Sequence, residues 1–504
     1  MAPKRRFARN AAAAALSLAL AGAVGVQGPG GRAAAAPSPA APTVPDDSPA
    51  ARDAAIARLR AAPARPVCAD PSAMSRVYGT SCNSREFPAP PILAAPRVAW
   101  EAKPGWWSVW SPFLVGRLVL TGSCNNDTNA GLSALDMATG KIVWRIASIC
   151  DVGGRRGSMG SVAFHELPSG EVLMIYPRQS GQPTDFYVID PKAGRIVRSL
   201  TPAANVALRS QGAFTGVSQS NRDGVSYITG LSPALDKVLW RNGGFRLAMA
   251  KDDPRYLPTF SPPAADGGVL FQTARSKDQA DPPTRQLHAI DLHTGQTLWR
   301  HTDQPVAERG NGSAWRSDDG TPMVAGGKVI VPVQGLLGPA AYGRKPDGDA
   351  LRALDPRSGA VLWTSRPVAG ATIADYVAAG DVLVAEVDRG GMRELWGFRL
   401  ADGGLAWRRP AGKEVRVLAS SGGVAYLSER VPGAGGYDFR VQGLDGQTGV
   451  LLWTTVLPGH DNPFDSQWGV VPDLRAGGVQ GPAWRIGRDG AIYGILLNGA
   501  YKLQ

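Results

Sequence analysis

The sequence predicts an all-β chain, an eight-bladed β-propeller of four-stranded antiparallel blades, with seven blades as the alternative count. The N- and C-terminal strands are expected to close one blade together. Three observations predict this. One motif recurs at a mean spacing of about 51 residues, a strand–turn–strand element precedes its copies, and the two ends of the repeating region read as complementary parts of one repeat.

The clearest motif copies are Ala134-Leu-Asp-Met-Ala-Thr-Gly-Lys-Ile-Val-Trp144, Ala289-Ile-Asp-Leu-His-Thr-Gly-Gln-Thr-Leu-Trp299, Ala353-Leu-Asp-Pro-Arg-Ser-Gly-Ala-Val-Leu-Trp363 and Gly443-Leu-Asp-Gly-Gln-Thr-Gly-Val-Leu-Leu-Trp453. Weaker copies align with them. Val188 to Arg198 has Arg in place of Trp, Leu231 to Trp240 has Asp236 in place of Gly, and Phe398 to Trp407 keeps only Gly403 and Trp407. The anchors fall at 140, 194, 236, 295, 359, 403 and 449, a mean spacing of about 51 residues, in the range of propeller blades. Each copy reads as a hairpin. Asp and Thr or Ser side chains bond loop N–H groups, Gly supplies the positive φ that reverses the chain, and Trp ends the second strand. Such a hairpin cannot bury both faces alone, so radial stacking is required, with Trp wedged between neighbours.

Upstream elements such as Ser111-Pro-Phe-Leu-Val-Gly-Arg-Leu-Val-Leu120 and Thr321-Pro-Met-Val-Ala-Gly-Gly-Lys-Val-Ile-Val331 supply the other two strands of each blade. Arg97-Val-Ala-Trp100 resembles a last strand with none before it, and Pro482 to Gln504 resembles three first strands with no last one. Seven internal blades plus one composite blade follow.

With these residues stated, the pattern Ala-Leu-Asp-x-x-Thr-Gly-x-x-x-Trp, with Ser-Pro-x-x-x-Gly-x-Val upstream, resembles the PQQ-like (quinoprotein-type) β-propeller repeat family. That repeat occurs in quinoprotein dehydrogenases and in the propeller lipoprotein of the outer-membrane assembly machinery. The resemblance covers about four fifths of the chain and implies the fold more strongly than any activity. For quinoprotein dehydrogenases it implies PQQ in the channel over an adjacent-Cys disulfide, with calcium held by Glu and Asn oxygens. This chain has no adjacent Cys pair, so no catalytic, cofactor-binding or metal-binding residue is carried over. No Cys follows the basic and Ala-rich N-terminus to accept a lipid, which departs from the assembly lipoprotein.

Residues 1–36 read as a signal peptide. Lys4, Arg5, Arg6 and Arg9 precede an uncharged run from Ala11 to Val26, and Ala34 to Ala36 offers a cleavage site. Residues 37–94 read as an Ala/Pro-rich linker with a short helix at Asp53–Leu59, and 95–504 as the propeller. The net charge is +12. Loss of Lys4, Arg5, Arg6, Arg9 and Arg32 leaves about +7, scattered without a dense cluster, which argues against a nucleic-acid partner. An even count of four Cys after an export signal favours disulfides, with Cys68–Cys82 and Cys124–Cys150 as the preferred pairs among three pairings.

No phosphate loop, nucleophile elbow or zinc-binding helix motif is present. His165-Glu166 reads as a solvated turn, and His288, His293 and His301 read as surface strand residues. Aromatics mark the candidate binding surface. Trp107, Trp110, Trp315, Arg316 and Trp468 lie upstream of first strands, where a propeller places residues at the channel mouth. The expectation is a monomeric, exported binding or scaffold protein of the cell envelope or extracellular space, without cofactor. Its ligand would be a protein, peptide or glycan, and the mature chain would carry no transmembrane helix. The alternative is a dehydrogenase dependent on PQQ and calcium with a divergent site.

Overall fold

A computed structural model describes residues 42–63, 67–68, 81–102, 112–123, 131–150, 162–176, 185–201, 203–210, 213–219, 225–246, 263–276, 284–302, 321–333, 348–367, 370–433, 436–457, 484–496 and 499–504. The described residues form eight antiparallel four-stranded meanders, one of which gains a fifth, parallel strand from the N-terminal extension. We number the blades 1 to 8 by their first strands (strand a of each): Phe113–Val115, Ala163–Glu166, Asn205–Ser210, Ala264–Asp266, Met323–Ala325, Ala371–Ala379, Arg416–Ser421 and Trp484–Ile486. Neighbouring first strands touch one another, so strand a is innermost, and the fourth strand, d, is the most exposed. Among the described residues no helix is long and apolar enough to cross a membrane.

Blade 8 is the expected composite. Trp484–Ile486, Ile492–Leu496 and Gly499–Leu503 come from the C-terminal end, and Val98–Ala102 pairs antiparallel with Gly499–Leu503 as strand d. Reciprocal bonds between the Arg97 and Gln504 backbones, both 2.9 Å, lock the closure. The count is therefore eight and not seven.

One row of register positions repeats in every blade, running from strand a to strand d. In blade 1 it is Phe113, Leu120, Ala134 and Trp144, and in blade 4 it is Ala264, Phe271, Ala289 and Trp299. In blades 3, 6 and 7 the third position is glycine for a steric reason. A methyl group on Gly230, Gly397 or Gly443 would run into the indole of the same blade. Six of the seven indoles then lie on the turn of the next blade. The Nε1 of each donates to a turn carbonyl there: Trp100 to Met137 (3.0 Å), Trp144 to Pro191 (2.8 Å), Trp240 to Leu292 (3.2 Å), Trp299 to Pro356 (2.9 Å), Trp363 to Leu400 (3.0 Å) and Trp407 to Gly446 (2.9 Å).

The turn itself is built by its Asp. The Asp136 Oδ1 accepts from the Ala138 and Thr139 N–H groups and from the Thr139 hydroxyl. Those bonds, the Thr139 side chain first, lower the Asp136 pKa. The turn glycine answers two demands at once. Gly359 has φ +71°, and a Cβ there would stand 2.6 Å from the Trp299 ring.

Two of the three weaker motif copies turn out to be two halves of one junction. Arg198 of blade 2 replaces the Trp that would lie on the blade 3 turn. In that turn the positive-φ residue is Leu235 (φ 64°), not Asp236. This corrects the alignment of Asp236 with the turn glycines. Asp236 instead accepts from the Ser232 hydroxyl at 2.6 Å. The buried Leu235 side chain packs with Leu173, Val188 and Phe214 between blades 2 and 3. Without an indole above it, the turn tolerates a side chain.

The chain before the propeller is packed onto it. A helix spans Pro49–Ala61, longer than the Asp53–Leu59 expected, with Ser48 as N-cap. Ala55 and Leu59 join the apolar seam of blades 7 and 8. Asp47 pairs with Arg409 at 3.0 Å, and Arg58 pairs with Asp445 of the blade 7 turn.

Glycines separate backbone strain from the indole contact. Gly327 has φ +68° with open space around it, whereas Gly359 faces Trp299. Gly327→Ala should cost about 1 kcal/mol of unfolding free energy. Gly359→Ala should cost about 3 kcal/mol, because overpacking is added. Urea denaturation of both variants measures the difference.

Candidate functional site

The inner wall of blades 4 to 7 is occupied by the chain's own residues 81–87. Four equivalent first-strand N–H groups, each two residues before its a–b turn, donate to this strap. Ala265 donates to Ser81 O (2.7 Å), Val324 to Cys82 O (2.8 Å), Ala378 to Ser84 O (3.2 Å) and Ser420 to Arg85 O (2.9 Å). First strands present an unpaired inner edge, and this strap satisfies it. Glu86–Phe87 then pairs parallel with Ser420 and Ser421. The Asn83 amide donates to Pro263 O (2.8 Å) and Pro322 O (3.1 Å), bridging blades 4 and 5. Residues 81–85 are buried.

Arg85 is the charged centre of the strap. It is 1% exposed, and its guanidinium donates to Asp375, to Tyr376 O (2.6 Å) and to Val417 O (3.0 Å), bridging blades 6 and 7. Nearby, Glu386 is fully buried. It accepts from Arg393 Nη1 (2.8 Å) and the Val417 N–H (2.6 Å), with Arg416 at 3.7 Å. Burial, reinforced by the Asp375 carboxylate, raises the Glu386 pKa. Both acids are committed to arginines of this chain.

The Cys68–Cys82 disulfide expected from the sequence is present, with its Cα atoms 6.1 Å apart. It lies against Ala264, Phe271, Val324 and Val329 in the seam of blades 4 and 5 and so ties the strap to that seam. Of the other expected pair, Cys124 lies outside the described residues, and for Cys150 only the backbone, at the end of a short 3₁₀ turn Ala147–Cys150, is described.

The expected mouth residues Trp107, Trp110, Trp315, Arg316 and Trp468 all lie outside the described residues. The strands flanking them end opposite the a–b and c–d turns, away from the strap's bonds to the turn ends. Two histidine readings need correction. His165 is no turn residue. It lies in a strand, 1% exposed, edge-on to Phe214 at 6.3 Å between centroids. His288 is buried rather than on the surface, because strand c of blade 4 is covered on both faces. Burial first, then the Arg300 charge, pushes its pKa down to about 4. His301 meets Arg352 at 3.1 Å.

Two further places carry charge. A cleft of about 240 Å³ between blades 6 and 7 has an apolar floor including Leu395 and Leu427 and charged walls at Arg409, Glu429 and Arg440. Its charges are already matched, Arg440 by Glu429 (3.1 Å) and Arg409 by Asp47 (3.0 Å). In blade 8 the register row is Arg485, Tyr493, Lys502 and Trp100. Burial pushes the Arg485 pKa down to about 10, so it stays a cation at neutral pH. Among the described residues no three His, Cys, Asp or Glu side chains gather as a metal site. Sequence reading missed the strap. The only signals for it were a Cys beside an Asn and an Arg in a segment rich in small residues.

Comparison with known proteins supports the repeat assignment. A family profile described as "Outer membrane protein assembly factor BamB" matches residues 285–467. A curated relative, "Polyvinylalcohol dehydrogenase" of Sphingopyxis sp. (strain 113P3), is 29% identical over 195 residues, covering 37% of this chain and 25% of that relative's length. Among solved structures, BamB from Moraxella catarrhalis superposes with TM-score 0.47 at 14% identity, over 81% of this chain and 99% of that one. Sqt1 from Chaetomium thermophilum superposes with TM-score 0.42 at 13% identity, again over 81% and 99%. The family profile and the curated relative support what the motif copies imply, a propeller of the PQQ-like repeat family.

The buried imidazole gives a pH dependence. The unfolded chain protonates His288 below about pH 6.5, while the folded protein keeps it neutral to about pH 4. Its contribution is thus full at neutral pH and is lost as pH falls from about 6.5 towards 4. His288→Gln should flatten the fall in unfolding free energy over that window by up to about 3 kcal/mol, read by urea titrations at several pH values.

Proposed function

We propose that this PQQ-like-repeat propeller is an exported, non-catalytic binding or scaffold protein of the cell envelope or extracellular space. Its ligand is a protein, peptide or glycan, bound at the channel end where the d-to-a and b-to-c connections leave the strands. Trp107, Trp110, Trp315, Arg316 and Trp468 belong to those connections and are the proposed contact residues.

One observation carries this reading. Over blades 4 to 7 the polar groups of the inner wall, from the Ala265 N–H to the Asp375 carboxylate, are engaged by the protein's own strap. A wall used to hold a fixed internal segment is a scaffold that leaves the other end for recognition. The same observation bears on PQQ and calcium. The acids of this wall, Asp375 and Glu386, are bonded to Arg85, Arg393 and Arg416, so they do not fit as calcium ligands, and no adjacent Cys pair exists. We therefore derive no redox step.

The second reading, a PQQ-dependent dehydrogenase with a divergent site, is favoured by the 29% identity to a polyvinylalcohol dehydrogenase. Titrating the purified chain with PQQ and calcium separates the two. The binding reading expects no protein-bound chromophore after gel filtration and no turnover of alcohols. A stoichiometric bound quinone with alcohol-dependent dye reduction would overturn it.

A further inference from the structure

The register row that defines every blade is broken in one place. Its first position holds Phe113, His165, Leu208, Ala264, Met323, Val377 and Ala419 in blades 1 to 7, and Arg485 in blade 8. Its third position holds Ala134, Val188, Gly230, Ala289, Ala353, Gly397 and Gly443, and then Lys502. This row faces blade 1, where Tyr493 and Trp100 pack with Val119 and Leu135. Blade 8 thus puts two cations into a seam that is apolar or small nearly everywhere else.

The two cations are treated differently. Lys502 is neutralised by Asp489 at 3.0 Å, and the Tyr493 hydroxyl donates to the same carboxylate at 2.7 Å. Among the described residues Arg485 has no such partner. Its Nε donates to Pro112 O of blade 1 at 3.2 Å, and its buried Nη1 meets no acceptor among them. Among the described residues Arg85, Arg393 and Arg485 are 1%, 8% and 6% exposed. Arg85 is paired with Asp375 and Arg393 with Glu386, whereas Arg485 pairs with no acid. An uncompensated buried cation is strongly unfavourable unless something supplies the charge. The seam also carries donors that match a planar acid, since a guanidinium presents its N–H groups in a flat fork.

We propose that Arg485, at the inner end of the seam between blades 8 and 1, is the binding residue for a small carboxylate, which accepts a hydrogen bond from Nη1 and neutralises the guanidinium. The site stands independently of the function proposed above, because it rests on the charge balance of blade 8 alone. Residue burial limits the ligand to a group that reaches Nη1 with one carboxylate. Lys502 contributes no free charge to it, being matched by Asp489.

The test is thermal unfolding of the full chain at fixed ionic strength, with chloride replaced stepwise by acetate. The wild type should show a saturating rise of about 3 °C, as expected when a ligand binds only the folded state. Arg485→Met should show no saturating rise and, in chloride, should be at least as stable as the wild type, because an unpaired buried charge has been removed. Equal acetate responses in the two proteins, or no response in either, would overturn the proposal. So would a strongly destabilised but folded Arg485→Met, which would mark the arginine as purely structural. If Arg485→Met does not fold, wild-type crystals soaked in bromide decide. An anomalous peak within hydrogen-bonding reach of Nη1 supports the site, and its absence at full occupancy of other bromide positions refutes it.

Discussion

The propeller depends on one contact made again and again, an indole lying on the turn of the next blade. The contact couples four requirements. The turn must carry a glycine because its φ is positive and because a methyl group would enter the ring. In the turns that carry it, the Asp organises the backbone so that a carbonyl points at Nε1, and in blade 6, which lacks it, Leu400 O still accepts from Trp363 Nε1. In blades 3, 6 and 7 the third row position must be glycine to let the indole fold back over its own blade. The offset between turn and Trp must stay fixed, because it sets where on the strand the ring emerges. Large apolar area and a satisfied indole N–H at six of the eight seams explain why so short a motif holds so large a ring.

Where the contact cannot be made, the chain substitutes for it. Blade 8 has no c–d turn, since its strands c and d come from opposite ends of the chain. Trp453 of blade 7 therefore donates to Ile92 O (2.7 Å) in the N-terminal extension, whose Ile92 N–H donates in turn to the Tyr426 hydroxyl at 2.9 Å. The extension continues the same task on the inside of the ring. It enters over the outer edge of blade 6, where Thr43 bridges Ala406 and Arg408, and it supplies the strap to the inner edges of blades 4 to 7. What reads in the sequence as an Ala/Pro-rich linker is a structural element that runs from the outer edge of blade 6 to the inner edges of blades 4 to 7.

Much of this was legible in the sequence because it repeats. Spacing near 51 residues, a constant offset to Trp and matching chain ends were enough for eight blades and for their closure. The failures fall where repetition gives no help. Asp236 was aligned with the turn glycines because the loop has the same length as in the other blades, Leu231 to Val238 against Leu135 to Ile142, while its positive φ falls one residue earlier, so only backbone geometry identifies Leu235. His165 and His288 read as exposed because strand polarity was judged from charge, whereas blades bury both faces. Arg485 escaped notice because the row it belongs to follows β-bulges, which shift register by one and hide the alignment from linear sequence. The strap is a single occurrence, and its partners lie hundreds of residues away.

The Trp and the turn residue of the next blade form one energetic unit, with Arg198 and Leu235 as the natural exception. A double-mutant cycle of Arg198→Trp and Leu235→Gly, followed by urea unfolding, measures that coupling. Each single change should destabilise, by clash and by cavity respectively, and the pair should restore the seam with a favourable coupling of about 2 kcal/mol. Additive losses in the double variant would contradict it.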